Sequence, residues 1–211
     1  MTIDIWSDVV CPFCYLGSRQ LSLALEAFEH RDEVDVILHA FELDPHSPAS
    51  FDLPLDELVA KKYDLPVEKA RELHHRLESQ ALDLGMTWSL ASAKPTNTFD
   101  AHRLIALSTS KGLGEAMSRR LFKAYFSEGL FLSDRLQLDE LAREVGVTDA
   151  PALWAGDDYS SEVRADEARA EELGITGVPA FLIDNKFMVL GAQGAEQIVD
   201  VLRRAWARRA A

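Results

Sequence analysis

The chain has 211 residues, enough for one large domain or a domain carrying a sizeable insertion, and it is 47% hydrophobic and 27% charged, so it can bury a core without a disulfide staple. Its formal net charge of -13 argues against a nucleic-acid partner, which requires surplus Lys and Arg to neutralise phosphates, and sets it against anionic membrane surfaces. No apolar run is long enough to span a bilayer, and no basic, apolar leader precedes the first strand. The expected compartment is therefore the cytoplasm, where ambient thiols keep cysteine pairs largely reduced.

Residues 2–7 read as a short strand. Asp8 to Cys11 form a turn, and Pro12 suits the first turn of a helix because its missing N–H would be unpaired there. That helix carries Leu21, Ala24, Leu25 and Phe28 on one face and is expected to run to about His30. Residues 34–41 read as a second strand, partly buried on both faces. Pro45, Pro48 and Pro54 then mark a long loop.

About a hundred residues of helical pattern follow. Leu55, Leu58 and Val59 begin a short helix, and Pro66 opens a longer one that Gly85 stops. Thr96 or Thr98 is placed to cap a third, with Ala101, Leu104, Ile105 and Leu107 inward. Met117, Leu121, Tyr125 and Phe126 mark a fourth. Leu138, Leu141, Ala142 and Val145 mark a fifth, stopped by Gly146. A further helix spans roughly 158–173. Val178 to Ile183 is a strand, Asp184-Asn185 a turn, and Phe187 to Leu190 the return arm of a hairpin; residues 194–208 form a last helix. The order is β-α-β, then helices, then α-β-β-α. The fold class is therefore α/β: a thioredoxin-like core with a large all-helical insertion. Residues 1–45 and 155–211 make the discontinuous core, and 46–154 the insertion.

The only two cysteines, Cys11 and Cys14, sit two residues apart at the strand-to-helix junction. A pair so placed reads as a redox dithiol. Disulfide exchange needs a thiolate and a second thiol within reach. The open N–H groups and dipole of a helix start favour a thiolate, which makes Cys11 the nucleophile and Cys14, about one turn further in and better shielded, the resolving thiol. Structural zinc would need two further ligands, and the only close pair, His74-His75, diverges on a helix; no metal is expected. Two inert core cysteines are the other alternative. The element order places Val178-Pro179 opposite the dithiol. There a cis bond would present backbone to an extended substrate, whereas an ordinary trans proline would simply start the strand.

At these residues the chain resembles the DsbA family of thiol-disulfide oxidoreductases, in its FrnE-like cytoplasmic branch. The resemblance runs through Asp4-Ile5-Trp6-Ser7-Asp8, Cys11-Pro12-Phe13-Cys14-Tyr15-Leu16-Gly17, Phe41-Glu42-Leu43-Asp44-Pro45 and Asn97 to Leu104. It continues in Ala124-Tyr125-Phe126, Gly174 to Pro179 and Gly191-Ala192-Gln193. It implies redox roles for Cys11 and Cys14 and a cis peptide before Pro179. The layout is also similar to kappa-class glutathione transferases and 2-hydroxychromene-2-carboxylate isomerases, which carry a serine where this chain has Cys11. Those relatives hold a glutathione carboxylate where Gly191-Ala192-Gln193 opens the last helix. Glutathione therefore stands as a candidate reductant or co-substrate, with no other cofactor expected. Periplasmic members carry a histidine between their cysteines. Phe13 replaces it here, which implies a less oxidising dithiol.

Around the site, Pro12, Phe13, Val178, Trp6 and Asp8 are candidate substrate contacts. Trp6 reads most simply as core, and Asp8 either moves protons for Cys14 or caps the turn. The resemblance adds His102, on an insertion helix expected to cover the site as a lid or merely to support the core. Three functions follow. The leading one is a thiol-disulfide oxidoreductase or isomerase acting on protein or small disulfides. The others are a glutathione-dependent transferase or isomerase of the kappa-class type, and a non-catalytic stress chaperone or binding module.

Overall fold

A computed structural model describes residues 1–209. In chain order the elements are β1 (Thr2–Ser7), α1 (Pro12–Glu26), β2 (Asp35–Ala40), α2 (Leu55–Tyr63), α3 (Val67–Asp83), α4 (Phe99–Thr109), α5 (Gly114–Phe126), α6 (Arg135–Val145), α7 (Ala150–Leu153), α8 (Ser160–Glu172), β3 (Ala180–Ile183), β4 (Phe187–Leu190) and α9 (Ala195–Ala207). They form two compact units: Met1–Leu43 together with the chain from Val163 onward, and Asp44–Glu162.

The first unit is built on a four-stranded sheet in the order β2-β1-β3-β4. β1 runs parallel to β2 and antiparallel to β3, and β3 and β4 form an antiparallel hairpin. Side chains alternate across β1 with the strand period of two. Ile3 and Ile5 join Phe181 and Ile183 under α1 and α9, in a core with Leu21, Ala24, Phe28, Ile198 and Leu202. Trp6 faces the other way, into a smaller core with Ala170 of α8, Ile175, Ala180 and Leu182. At the hairpin turn Asp184 and Asn185 both adopt positive φ, the backbone that short hairpins require and that Asp and Asn tolerate. This is the thioredoxin-like core, and the chain between its two halves is helical.

The helical unit buries Leu104, Met117, Leu121, Phe122, Tyr125, Phe126, Leu138 and Leu141. Gly146 ends α6 in the left-handed conformation (φ 98°), where a residue without Cβ costs least. Arg103 is buried here as well. Its guanidinium meets Asp100 at 2.9 Å, the Asp158 carbonyl at 3.0 Å, the Leu153 carbonyl at 2.8 Å and the Gly156 carbonyl at 2.6 Å.

Three details differ from the sequence reading. α1 stops at Glu26 rather than near His30, because Phe28 turns into the core and meets the Trp206 ring edge-on at 6.0 Å. Thr98 precedes α4 but makes no side-chain cap; Asn97 caps instead, its Oδ1 accepting from the Phe99 amide at 3.0 Å. α7 carries no periodicity because it is only four residues long. No helix among the described residues is long and apolar enough to cross a membrane.

Candidate active site

Helix α1 begins on the cysteine pair. Cys11 is its N-cap residue, with extended backbone (φ -87°, ψ 115°), and Pro12 stands in the first turn. The Cys11 amide donates to the Asp8 carbonyl at 3.0 Å, closing the turn after β1. Its carbonyl accepts the first helical bonds, from Cys14 at 3.1 Å and Tyr15 at 3.2 Å. Both cysteines are free thiols.

Both are also buried, Cys11 at 3% exposure and Cys14 at 2%. The sequence reading made Cys14 the shielded partner; the fold shields Cys11 too, and its sulfur donates to the Val178 carbonyl at 3.6 Å. Burial pushes the Cys14 thiol well above its ordinary pKa, and the hydrogen bond to Cys11 and the charge of Cys11 push it further. Hydrogen bonds from the Asp8 backbone and the Ser7 hydroxyl offset this only in part. Cys14 is thus held as a thiol beside Cys11.

The Val178–Pro179 peptide is cis. Pro179 is buried, and its carbonyl accepts from the Gly191 amide at 2.8 Å, which ties the loop to the end of β4. Gly17 lets α1 approach this proline: a Cβ there would lie 3.0 Å from Pro179 Cγ and 3.2 Å from Phe181 Cζ. Gly17→Ala is therefore expected to push the proline loop away from the dithiol and to cost about 1–2 kcal/mol of stability by overpacking. Chemical unfolding and disulfide-exchange rates measured on the same variant check this. An unchanged midpoint with unchanged rates would show that the loop gives way freely.

The other sequence candidates fall as follows. Pro12 is half-buried and Phe13 is 48% exposed, so Phe13 offers an apolar surface next to the thiols. Val178 reaches the site through its carbonyl. The Asp8 carboxylate is buried and accepts from the Leu43 amide at 2.8 Å and the Val10 amide at 3.4 Å, fastening the turn after β1 to the segment after β2. Trp6 is core, as its type suggested: its indole N–H donates to the Asp166 carbonyl at 3.0 Å and its ring stacks on His39 at 4.4 Å. His102 belongs to the helical unit, where it is buried in α4. Among the described residues no group of three or more His, Cys, Asp or Glu is arranged to hold a metal.

Sequence reasoning missed two features. Gly17 was legible only as part of a motif. His39, unassigned from sequence, bridges two carboxylates, Asp4 and Asp166.

Known proteins resemble this chain in sequence and fold. The crystal structure of the probable DsbA oxidoreductase SCO1869 from Streptomyces coelicolor superposes with a TM-score of 0.94 at 37% identity, covering 98% of this chain and 90% of that one. The Bacillus subtilis protein YwbO is 28% identical over 198 residues, 92% of each chain. The cytosolic disulfide reductase DsbM from Pseudomonas aeruginosa, solved with GSH, shares the fold with a TM-score of 0.63 at 21% identity, over 98% of this chain and all of that one. The family model for the DSBA-like thioredoxin domain matches residues 2–203. With sheet, cysteine pair and proline loop all inside that match, the chain belongs to the DSBA-like thioredoxin domain family.

Proposed function

We propose that this protein is a thiol-disulfide oxidoreductase or isomerase in which Cys11 attacks, Cys14 resolves and the Val178–Pro179 loop orients the substrate. The observation that carries this reading is the placement of Cys11: N-cap of α1, one turn before a buried thiol, with its sulfur on the carbonyl that precedes Pro179. In the reducing direction, the Cys11 thiolate attacks one sulfur of a substrate disulfide. That S–S bond breaks, a mixed disulfide forms, and the departing sulfur leaves as a thiolate. Cys14 then gives up its proton and attacks the Cys11 sulfur. The intramolecular disulfide forms, the second substrate sulfur leaves and is protonated, and two electrons have passed from the dithiol to the substrate. Run backwards, the same steps oxidise a dithiol substrate.

The substrates proposed are protein or small-molecule disulfides. Glutathione is proposed as the thiol that re-reduces the Cys11–Cys14 disulfide, and the cytoplasm as the compartment. Both suggestions draw support from the DsbM likeness and from Phe13 in place of a histidine. The test is reduction of insulin disulfides with glutathione as the electron source. Wild type is expected to turn over and Cys11→Ser to be inactive. Equal turnover by Cys11→Ser would remove the reading. Glutathione conjugation or isomerisation that survives in Cys14→Ser would favour the kappa-class alternative, and suppression of client aggregation by both variants a binding module.

A further inference from the structure

A partly buried charge bridge joins β1, β2 and α8. His39 Nδ1 lies 2.6 Å from Asp166 Oδ1, and Nε2 lies 2.8 Å from Asp4 Oδ1. A neutral imidazole has one N–H and could satisfy only one of these carboxylates; the imidazolium donates to both. Burial pulls the His39 pKa down, but the hydrogen bonds and charges of Asp166 and Asp4 outweigh it, and the pKa is raised. The second oxygen of Asp166 accepts from the Ala40 amide at 2.9 Å, and its carbonyl from Trp6. Asp166 thus fastens α8 to both β1 and β2. The neighbouring charges are engaged elsewhere: Arg164 pairs with Glu42 and Glu167, and β3 sets apolar Leu182 opposite Asp4.

From this anchor the chain leads directly to the dithiol. α8 closes with the Ile175 amide on the Ala170 carbonyl at 2.9 Å, and Ile175 packs with Trp6, Ala170 and Ala180. Val178, whose carbonyl meets the Cys11 sulfur, comes just after. We propose that the Asp4–His39–Asp166 bridge is a positioning element for Cys11: it pins α8, and through Ile175 it holds the Val178 carbonyl on the Cys11 thiol. This rests on the dithiol reading above. A carbonyl that accepts from a thiol favours the neutral sulfur over the thiolate. The bridge therefore acts on Cys11 by keeping that carbonyl on its sulfur. The sign with pH follows from the raised His39 pKa: the bridge is fully charged below the ordinary histidine value, and its contribution is lost as pH rises through the raised one.

The experiment follows the pH profile of Cys11 alkylation by iodoacetamide in a Cys14→Ser background, where one sulfur reacts. His39→Gln and Asp166→Asn are each expected to move the profile toward lower pH, so that at mildly acidic pH Cys11 reacts roughly 3- to 10-fold faster. Glu29→Gln, which removes a surface pair with Arg203, is the control and should leave the profile in place. A uniform rise at every pH, with the profile unmoved, would mean that the bridge only stabilises the fold, and would overturn the proposal. So would no change at all. Should His39→Gln fail to fold, Asp166→Asn decides, since it keeps the side-chain shape. Alkylation needs no disulfide substrate. A shifted profile in a protein without insulin turnover would therefore keep the bridge and remove the oxidoreductase reading, and the reverse result would do the opposite.

Discussion

Cys14→Ser is expected to stop disulfide turnover while leaving Cys11 joined to its substrate as a stable mixed disulfide. In the proposed mechanism the resolving step is intramolecular. Replacing it by attack of an external thiol forfeits the effective concentration of a neighbouring group, a loss of roughly a thousandfold or more. The electrostatics of the pair sharpen the expectation. Burial, the hydrogen bond to Cys11 and the charge of Cys11 all hold the Cys14 proton in place. Once Cys11 is part of a mixed disulfide, its sulfur carries no charge, and only burial remains in full. Cys14 becomes easier to ionise at the step where it must attack. Intact-mass measurement of the trapped adduct, alongside insulin turnover, reads both halves. Persistent turnover without an adduct would mean that Cys14 does not resolve.

Arg103→Ala is expected to destabilise the helical unit by about 3–5 kcal/mol, the range for breaking a buried ionic network from one side. The side chain bonds one carboxylate and three carbonyls, so its loss leaves the three carbonyls short of a donor, that of Leu153 in a buried place. Asp100 would keep Arg135 at 2.7 Å, but the carbonyls of Leu153, Gly156 and Asp158 have no such substitute among the bonds described above. Denaturant unfolding, followed through the tryptophans, gives the number. A loss below about 1 kcal/mol would show that water replaces the guanidinium readily. The motif from Asn97 to Leu104 thus carries a structural cation.

Much of this architecture was legible from local pattern. Alternation in β1, the Cys-Pro start of α1, the glycine stop at Gly146 and the Asp-Asn hairpin turn are each decided within a few residues, and the element order then singles out Pro179. What could not be read was settled by distant chain segments. His39 lies 35 residues from Asp4 and 127 from Asp166, so no spacing rule connects them. Gly17 looks like an ordinary helix residue until Pro179 is set against it. The burial of Cys11 escaped notice for the same reason: a helix start is usually open to solvent, and here the Val178 carbonyl, 167 residues away, lies on the sulfur.

The sheet order has a consequence for synthesis. β1 lies between β2, which follows at once, and β3, which begins only at Ala180. At translation rates of about 5–20 residues per second, β1 waits roughly 10–35 s for its second neighbour. The helical unit is one uninterrupted stretch and emerges in the meantime, free to fold first. Through that interval the growing chain carries Cys11 and Cys14 without the Val178 carbonyl that later meets the Cys11 sulfur. The two thiols meet oxidants and other nascent chains earlier, and less protected, than at any time in the finished protein.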